Sequence, residues 1–311
     1  MPAWRSGCNH AAKPPTAAAM RAGPVLLYVV GVAIFCAMDS AMKKLVETNP
    51  AVMATFWRYL AATVFAIPFW LRAGRPRVTA DMLPVHLLRG VVLAASAFAF
   101  FWSLKILPLA QAITIAFIAP LLIPPIAAAI LKERMKGGSL VAGLIGFAGV
   151  IVAVGVNPDD WSSGQLLGVA AVLFSALTYA LTVVLMRMRA QLDGPAIVSL
   201  LGAGIPALVL AVPMLLLVPP DALLPDAQGW LLVLAAGITG AVALQCLARA
   251  YAVAEAQTLA PFEYTALLWA ALFGWIFFAE PVSPRTWAGA FIIGGACLWQ
   301  ARRARTAPAL P

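Results

Sequence analysis

Long apolar segments, separated by short polar stretches, recur along the whole chain. An α-helix rises 1.5 Å per residue, so about 20 apolar residues cross the hydrocarbon core of a bilayer, which is about 30 Å thick. The pattern predicts ten transmembrane helices, numbered here as spans 1 to 10: 24–46, 51–71, 85–106, 108–131, 138–156, 164–186, 195–218, 229–252, 257–279 and 285–301. Because most connections are short, any function must lie within or between the helices.

The composition agrees with this pattern. Of the 311 residues, 63% are hydrophobic and only 11% are charged, and the mean hydropathy is +0.94. A soluble domain of this length does not tolerate such a composition. The sequence therefore predicts an all-α integral membrane protein with the lipid bilayer as its surroundings.

The net charge of +9 is explained by topology. If the N-terminus is cytoplasmic, the outer side of the membrane holds only four basic residues, Lys43, Lys44, Lys105 and Arg285. Arg58 lies inside a span, and the other sixteen of the 21 lysines and arginines fall on the cytoplasmic side. This bias follows the positive-inside rule. We therefore expect a multi-pass protein of the cell inner membrane with both termini cytoplasmic, and no nucleic-acid partner.

The two ends of the chain are polar or basic. Residues 1–23 lack the apolar core of a signal peptide and are expected to be a disordered cytoplasmic segment, within which Met20 is an alternative start. Residues 302–311 are expected to be a basic cytoplasmic tail.

The two halves of the chain resemble each other. Three pairs of residues recur at an offset of 145 to 147 positions: Pro50 with Pro195, Gln111 with Gln257, and Glu133 with Glu280. This self-similarity predicts two repeats, 24–156 and 164–301, with five spans each. Because five is odd, the second repeat enters the membrane from the opposite side. Inverted repeats of this kind are typical of secondary transporters, whose substrate binds at the repeat interface.

Glu263 is the most informative single residue, because it is an ionisable group about a third of the way along span 9. Such a group is costly within a membrane and usually faces a cavity or a partner. Glu263 is therefore a candidate to bind a cationic substrate group or to take up a coupling proton. Alternatively, it is only a structural carboxylate whose partner is Gln245 or Arg249 of span 8.

Asp39 in span 1 and Arg58 in span 2 are predicted at similar depth, since these spans are antiparallel and joined by a short outer loop. A buried arginine is tolerable when it is paired. The two residues are a candidate structural ion pair, and Asp39 is also a candidate for the outer mouth of a pathway.

Phe98 and Trp102 share one face of span 3. This aromatic stripe suits either helix packing or a flat ligand. The four cysteines and two histidines are far apart, which predicts no metal site, disulfide or cofactor. A membrane-embedded transferase would need clustered acidic residues for a metal and diphosphate, and their absence from the sequence argues against an enzyme.

Several segments together resemble the drug/metabolite transporter superfamily in its ten-helix form with two EamA-type domains. The matching segments are FWRYLAA in span 2, FFWSLKILPLAQA across spans 3 and 4, LKER at 131–134, ARAYAVAEAQTLAPFEYTALLWA in spans 8 and 9, and the closing Glu280-Pro281. The resemblance implies a central cavity lined by helices 1, 3, 4, 6, 8 and 9. The residues that would line it are Asp39, Phe98, Trp102, Gln111, Tyr179, Gln245, Glu263 and Trp269.

The resemblance implies a secondary transporter that carries a small organic metabolite, such as an amino-acid, vitamin or nucleoside-like compound. The branch includes uptake carriers for riboflavin and S-adenosylmethionine, and the architecture is shared with exporters, so it fixes neither substrate nor direction. A non-transporting assembly or sensory subunit remains the alternative. Glycine-rich faces on spans 5 and 10 suit either a homodimer or close packing within one chain.

Overall fold

All regular secondary structure is helical in the residues that the computed structural model describes, which are 22–103, 115–132, 137–154, 166–278 and 284–306. We number the helices in chain order: α1 (Ala22–Thr48), α2 (Ala51–Arg72), α3 (Leu83–Ser103), α4 (Ala119–Leu131), α5 (Gly137–Val154), α6 (Leu166–Leu192), α7 (Pro195–Leu217), α8 (Ala227–Val253), α9 (Ala256–Leu259), α10 (Thr265–Phe278) and α11 (Pro284–Thr306).

Seven described segments are long and apolar enough to cross a membrane: α1, α2, α3, α6, α7, α8 and the stretch 256–277. Three shorter apolar helices, over 119–131, 137–152 and 287–299, coincide with predicted spans 4, 5 and 10. The regular structure of the described residues is all helical, as predicted, and the lengths of its apolar helices agree with a membrane protein.

Turn chemistry fixes several helix boundaries. Pro50 precedes α2 and Pro195 is the first residue of α7, positions where a missing N–H costs nothing. The Asp226 carboxylate accepts a hydrogen bond of 2.7 Å from the Gly229 N–H and so caps α8. Lys132, with φ of 55°, ends α4 in the left-handed region.

Predicted span 9 is not one continuous helix. The short helix α9 is followed by a 3₁₀ segment, Ala260–Tyr264, before α10 begins at Thr265. Pro261 accounts for the change, because its ring removes a backbone N–H and clashes with a preceding carbonyl of a regular helix. The break places Glu263 in the 3₁₀ segment.

The most extensive helix packing joins helices from different halves of the chain. The main pairs are α1 with α8, α5 with α11, α2 with α7, and α3 with α6. Smaller contacts join α2 with α8, α3 with α7, α4 with α6, and α1 with α10. The largest buried apolar cluster draws its residues mainly from α1, α4, α6, α8 and the α9–α10 stretch, so the core surrounds the break that carries Glu263.

The glycine-rich faces are used within one chain where α5 meets α11. A Cβ at Gly149 would lie 2.9 Å from Ile293 Cγ1 and 3.1 Å from the Gly289 carbonyl oxygen, so only glycine allows this close approach. By contrast, a Cβ at Gly294 or Gly295 would meet no atom within 4 Å. A homodimer stays a prediction.

Candidate functional site

Glu263 lies at the meeting point of three helices. The Tyr179 hydroxyl of α6 donates a hydrogen bond of 2.6 Å to Glu263 Oε1, and the Tyr28 hydroxyl of α1 donates to Oε2. Two donors on two oxygens is the pattern expected of an ionised carboxylate. The partners of Glu263 are therefore tyrosines, and not the predicted Gln245 or Arg249.

A third tyrosine extends this network. The hydroxyls of Tyr28 and Tyr251 of α8 lie 3.0 Å apart. Their rings pack edge to face, with centroids separated by 5.4 Å and planes inclined by 82°. Both side chains are fully buried. We call Tyr28, Tyr179, Tyr251 and Glu263 the tyrosine–glutamate cluster.

Side chains satisfy the backbone carbonyls that the helix break sets free. Thr265 Oγ1 donates to the Phe262 carbonyl at 2.6 Å, and Cys297 Sγ donates to the Pro261 carbonyl at 3.4 Å. Cys36 Sγ of α1 lies 3.5 Å from the Ala266 carbonyl at the start of α10. Irregular backbone inside a membrane persists when its polar groups find such partners, so the break is part of the stable fold.

Asp39 lies on the same face of α1 as Tyr28, because eleven residues make about three helical turns. Its carboxylate is exposed, yet it interacts electrostatically with Glu263 and with Tyr179 across the bundle. Asp39 is therefore an exposed acidic side chain on the side of α1 that carries Tyr28.

The predicted Asp39–Arg58 pair is not in direct contact: among the described residues, no N–O distance of 4.0 Å or less joins them. Arg58 is buried, donates from Nη1 to Met38 Sδ at 3.1 Å, and lies 4.0 Å from the centroid of the Tyr59 ring. These contacts hold the guanidinium beside α1, and its attraction to Asp39 acts over a longer distance. A direct ion pair stays a prediction.

The aromatic candidates occupy different surroundings. Phe98 is exposed and Trp102 is half-buried on α3, which is held to α6 by reciprocal hydrogen bonds between Ser96 and Ser175 of 2.9 and 3.0 Å. Trp269 packs against the apolar cluster that contains Tyr28. Its indole N–H is buried without a hydrogen-bond partner among the described residues.

Gln245 faces α7 and not Glu263. The hydrogen-bond network favours the amide orientation in which Nε2 donates to Ser199 Oγ at 2.7 Å and to the Pro195 carbonyl at 3.2 Å. Its Oε1 then accepts from Arg249 Nε at 3.1 Å. Gln111 lies outside the described residues, so its place in the cavity stays a prediction.

Tyr28 and Tyr251 were missed by the sequence analysis. Both carried a usable signal, since each is a tyrosine near the predicted cytoplasmic end of an apolar span, at a depth close to that of Glu263. A buried tyrosine hydroxyl needs a partner. The described residues contain no group of three or more histidine, cysteine, aspartate or glutamate side chains placed to bind a metal.

Comparisons with known proteins agree on the kind of molecule. The model of the EamA-like transporter family matches residues 23–155 and 166–300. The riboflavin transporter of Vibrio cholerae is 31% identical over 248 residues, which cover 78% of this chain and 80% of that protein. The pseudopaline exporter CntI of Pseudomonas aeruginosa is 26% identical over 275 residues, which cover 88% of this chain and 94% of that protein. A solved crystal structure with 21% identity superposes with a TM-score of 0.78 over 92% of this chain and all of that chain, and shows the same fold.

Proposed function

The chain belongs to the EamA-like transporter family and is a transporter, not an enzyme, and on this premise we propose that it is a secondary active transporter. It moves a small organic metabolite across the inner membrane by alternating access. The two halves, 24–156 and 164–301, are inverted repeats that rock against each other, and both termini are cytoplasmic.

The packing of the helices supports this arrangement of halves. The most extensive contacts are preserved when each helix is exchanged with its counterpart in the other half: α1 with α6, α2 with α7, α3 with α8, α4 with the α9–α10 stretch, and α5 with α11. The α1–α8 pair becomes α6–α3, and α2–α8 becomes α7–α3. Such an exchange is expected of two units related by a pseudo-two-fold axis.

The proposal rests on Glu263, which is held by hydroxyls from both halves. Tyr179 and Glu263 belong to the second half, whereas Tyr28 belongs to the first and binds both Glu263 and Tyr251 of the second. Rocking one half against the other must therefore break the bonds of Tyr28 and leave the Tyr179–Glu263 bond intact. Tyr28 is the contact that changes between the two states of the transport cycle.

The cluster accommodates Glu263 in either protonation state. When Glu263 is ionised, both tyrosines donate to it. When a proton binds Oε2, Glu263 donates to the Tyr28 hydroxyl, which in turn donates to Tyr251 across their 3.0 Å contact. Glu263 Oε2 and the Tyr28 hydroxyl keep a partner in both states, so Glu263 is suited to take up a coupling proton or to bind a cationic substrate group.

The substrate binds between the tyrosine–glutamate cluster and Asp39. Phe98 and Trp102 supply aromatic faces to a flat or cationic ring, and the indole N–H of Trp269 supplies a donor that lacks a partner among the described residues. The Vibrio relative is named for riboflavin and the Pseudomonas relative for pseudopaline export. Since they differ in substrate and direction, the substrate class must be found by experiment.

Uptake into proteoliposomes tests the proposal. The panel contains riboflavin, S-adenosylmethionine, amino acids, polyamines and nucleosides, and Glu263→Gln is compared with Glu47→Gln, which removes an exposed carboxylate of α1. We expect one class to accumulate, with transport lost in Glu263→Gln and kept in Glu47→Gln. Equal transport by both variants would refute the role of Glu263. A folded protein that binds a compound but translocates nothing in the panel would favour the non-transporting assembly or sensory subunit.

A further inference from the structure

A second pocket lies between α2, α7 and α8, and the tyrosine–glutamate cluster contributes nothing to its lining. Its volume is about 210 Å³. The polar part of the lining is Arg72 at the end of α2, with Gln245 and Arg249 of α8. Phe69, Pro195 and Ala196 supply an apolar wall. The pocket therefore combines two cationic side chains with a hydrophobic side.

The two arginines of this pocket lack an acidic partner. Within the described ranges, neither Arg72 nor Arg249 has a carboxylate oxygen within 4.0 Å. Gln245 accepts from Arg249 Nε at 3.1 Å, which orients the guanidinium and leaves its two terminal nitrogens available. The carboxylate of Asp193, two residues before Pro195, is already bound by Arg189 and His86.

The start of α7 adds to the positive potential. Gly194 at the N-cap provides no side-chain hydrogen bond to the helix, so the first backbone N–H groups lack the usual cap. Ala196, whose N–H is one of them, lines the pocket. The helix dipole places partial positive charge at this end.

The repeat indicates that the fold itself does not require these charges. Position 72 corresponds to Leu217 at the offset of 145, and position 249 corresponds to Leu104 or Ser103 at offsets of 145 or 146. Both arginines are exposed and do not contribute to the buried core. The two arginines are therefore specific to the place where α2 and α8 end, and are not repeated at the equivalent place in the other half.

We propose that this pocket binds a phosphate-type anion through Arg72, Arg249 and the N-terminus of α7. Guanidinium groups bind phosphate with two parallel hydrogen bonds. The anion is either the headgroup of an anionic phospholipid or a soluble phosphate, and the apolar wall at Phe69 suits the glycerol backbone of a lipid. The inference does not depend on the proposed transport activity.

Thermal unfolding of the purified full-length protein, followed by tryptophan fluorescence, tests this site. Dihexanoyl phosphatidylglycerol, dihexanoyl phosphatidylcholine and inorganic phosphate are titrated at a constant ionic strength set with chloride, so that general screening is equal. A ligand at ten times its Kd is expected to raise the Tm by about 2–4 °C. Phosphatidylcholine, whose headgroup is zwitterionic, should leave the Tm unchanged.

Single variants separate the pocket from general surface charge. Arg72→Leu and Arg249→Leu copy the leucines of the other half, and Arg77→Leu removes one exposed arginine outside the lining. We expect the first two to need at least about tenfold more ligand for the same shift, and Arg77→Leu to behave as the unmodified protein. If one pocket variant does not fold, the other is compared with Arg77→Leu in its place. Native mass spectrometry then gives a second measure, the amount of phosphatidylglycerol that stays bound to each variant.

The two anions identify the source of the ligand. A shift with phosphatidylglycerol alone assigns a lipid headgroup, and a shift with inorganic phosphate assigns a soluble anion. Both results support the site if Arg72→Leu and Arg249→Leu weaken them. The site is overturned if neither anion raises the Tm, or if the pocket variants respond like Arg77→Leu.

Discussion

The Tyr179 hydroxyl donates to Glu263 Oε1 at 2.6 Å and so ties α6 to the helix break that follows α9. Tyr28 makes the corresponding bond to Oε2 from α1. These helices begin the two halves of the chain. One carboxylate thus links the first helix of each half to the irregular segment between α9 and α10.

Removal of either tyrosine hydroxyl should destabilise the protein. In Tyr179→Phe or Tyr28→Phe, one oxygen of Glu263 loses a donor, and a hydrogen bond to a charged group contributes about 1.5–3 kcal/mol. We expect a lower apparent Tm for both, measured by tryptophan fluorescence. Tyr28→Phe should also alter the rate of exchange between the two states of the transport cycle more than Tyr179→Phe does, because the hydrogen bonds of Tyr28 join the two halves of the chain.

Tyr264→Phe is the matched control. Its buried hydroxyl has no hydrogen-bond partner among the described residues, and its ring packs against Phe117 with centroids 5.8 Å apart. Loss of an unpaired hydroxyl should leave stability unchanged or slightly increased. Equal destabilisation in all three variants would mean that the bonds to Glu263 do not determine the effect.

Most helix positions could be predicted from the sequence, because an apolar run of fixed length has few alternatives in a bilayer. Span 2 was predicted at 51–71 and α2 is Ala51–Arg72; span 7 was predicted at 195–218 and α7 is Pro195–Leu217. The break in span 9 was missed. Its residues are as apolar as those of a continuous helix, and only Pro261 marks the change to 3₁₀ geometry.

Glu263 was found from the sequence because an ionisable residue stands out in an apolar run, but its partners were not. Gln245 was selected as a partner by its depth in span 8. Depth does not fix direction, since successive residues on a helix differ by about 100°, and Gln245 faces α7. Tyr28 is 235 residues away in the chain, so its contact depends on how α1 packs against α8 and α10.

A buried charge cluster joins α3 to the end of α6. Asp193 accepts from Arg189 Nε and Nη2, both at 2.6 Å, and its Oδ2 lies 2.9 Å from His86 Nε2. Asp193→Asn leaves the buried arginine without its counter-charge, which costs about 3–5 kcal/mol. We expect a large fall in the apparent Tm.

The control for Asp193→Asn is a substitution in an exposed ion pair. Lys44 and Glu47 lie 3.1 Å apart with side chains 52% and 45% exposed, and such pairs contribute at most about 1 kcal/mol. Glu47→Gln should therefore change the Tm little. If it lowers the Tm as much as Asp193→Asn, burial of the charge cluster is not the cause.

Close packing of α5 makes Gly146 sensitive to any side chain. A Cβ at this position would overlap the ring of Tyr264, next to Glu263, whereas a Cβ at Gly294 of α11 would meet nothing within 4 Å. Gly146→Ala should lower the Tm by forcing α5 away from the 3₁₀ segment, since such overpacking costs about 1–3 kcal/mol. Gly294→Ala should be neutral or raise the Tm slightly, because alanine favours the helix by about 0.5–1 kcal/mol. The reverse order would contradict the packing of α5 on Tyr264.

The charge bias predicts that the end of α1 is external and the turn after α2 is cytoplasmic. Glu47→Cys and Arg77→Cys test this in a background where Cys8 and the half-buried Cys246 are replaced by serine; Cys36 and Cys297 are buried and should not react. In intact spheroplasts, a membrane-impermeant maleimide should label Glu47→Cys. It should label Arg77→Cys only after permeabilisation, because the arginines after α2 remain on the side where the positive-inside rule places them. The opposite labelling pattern would invert the topology and place the arginine pocket on the external side.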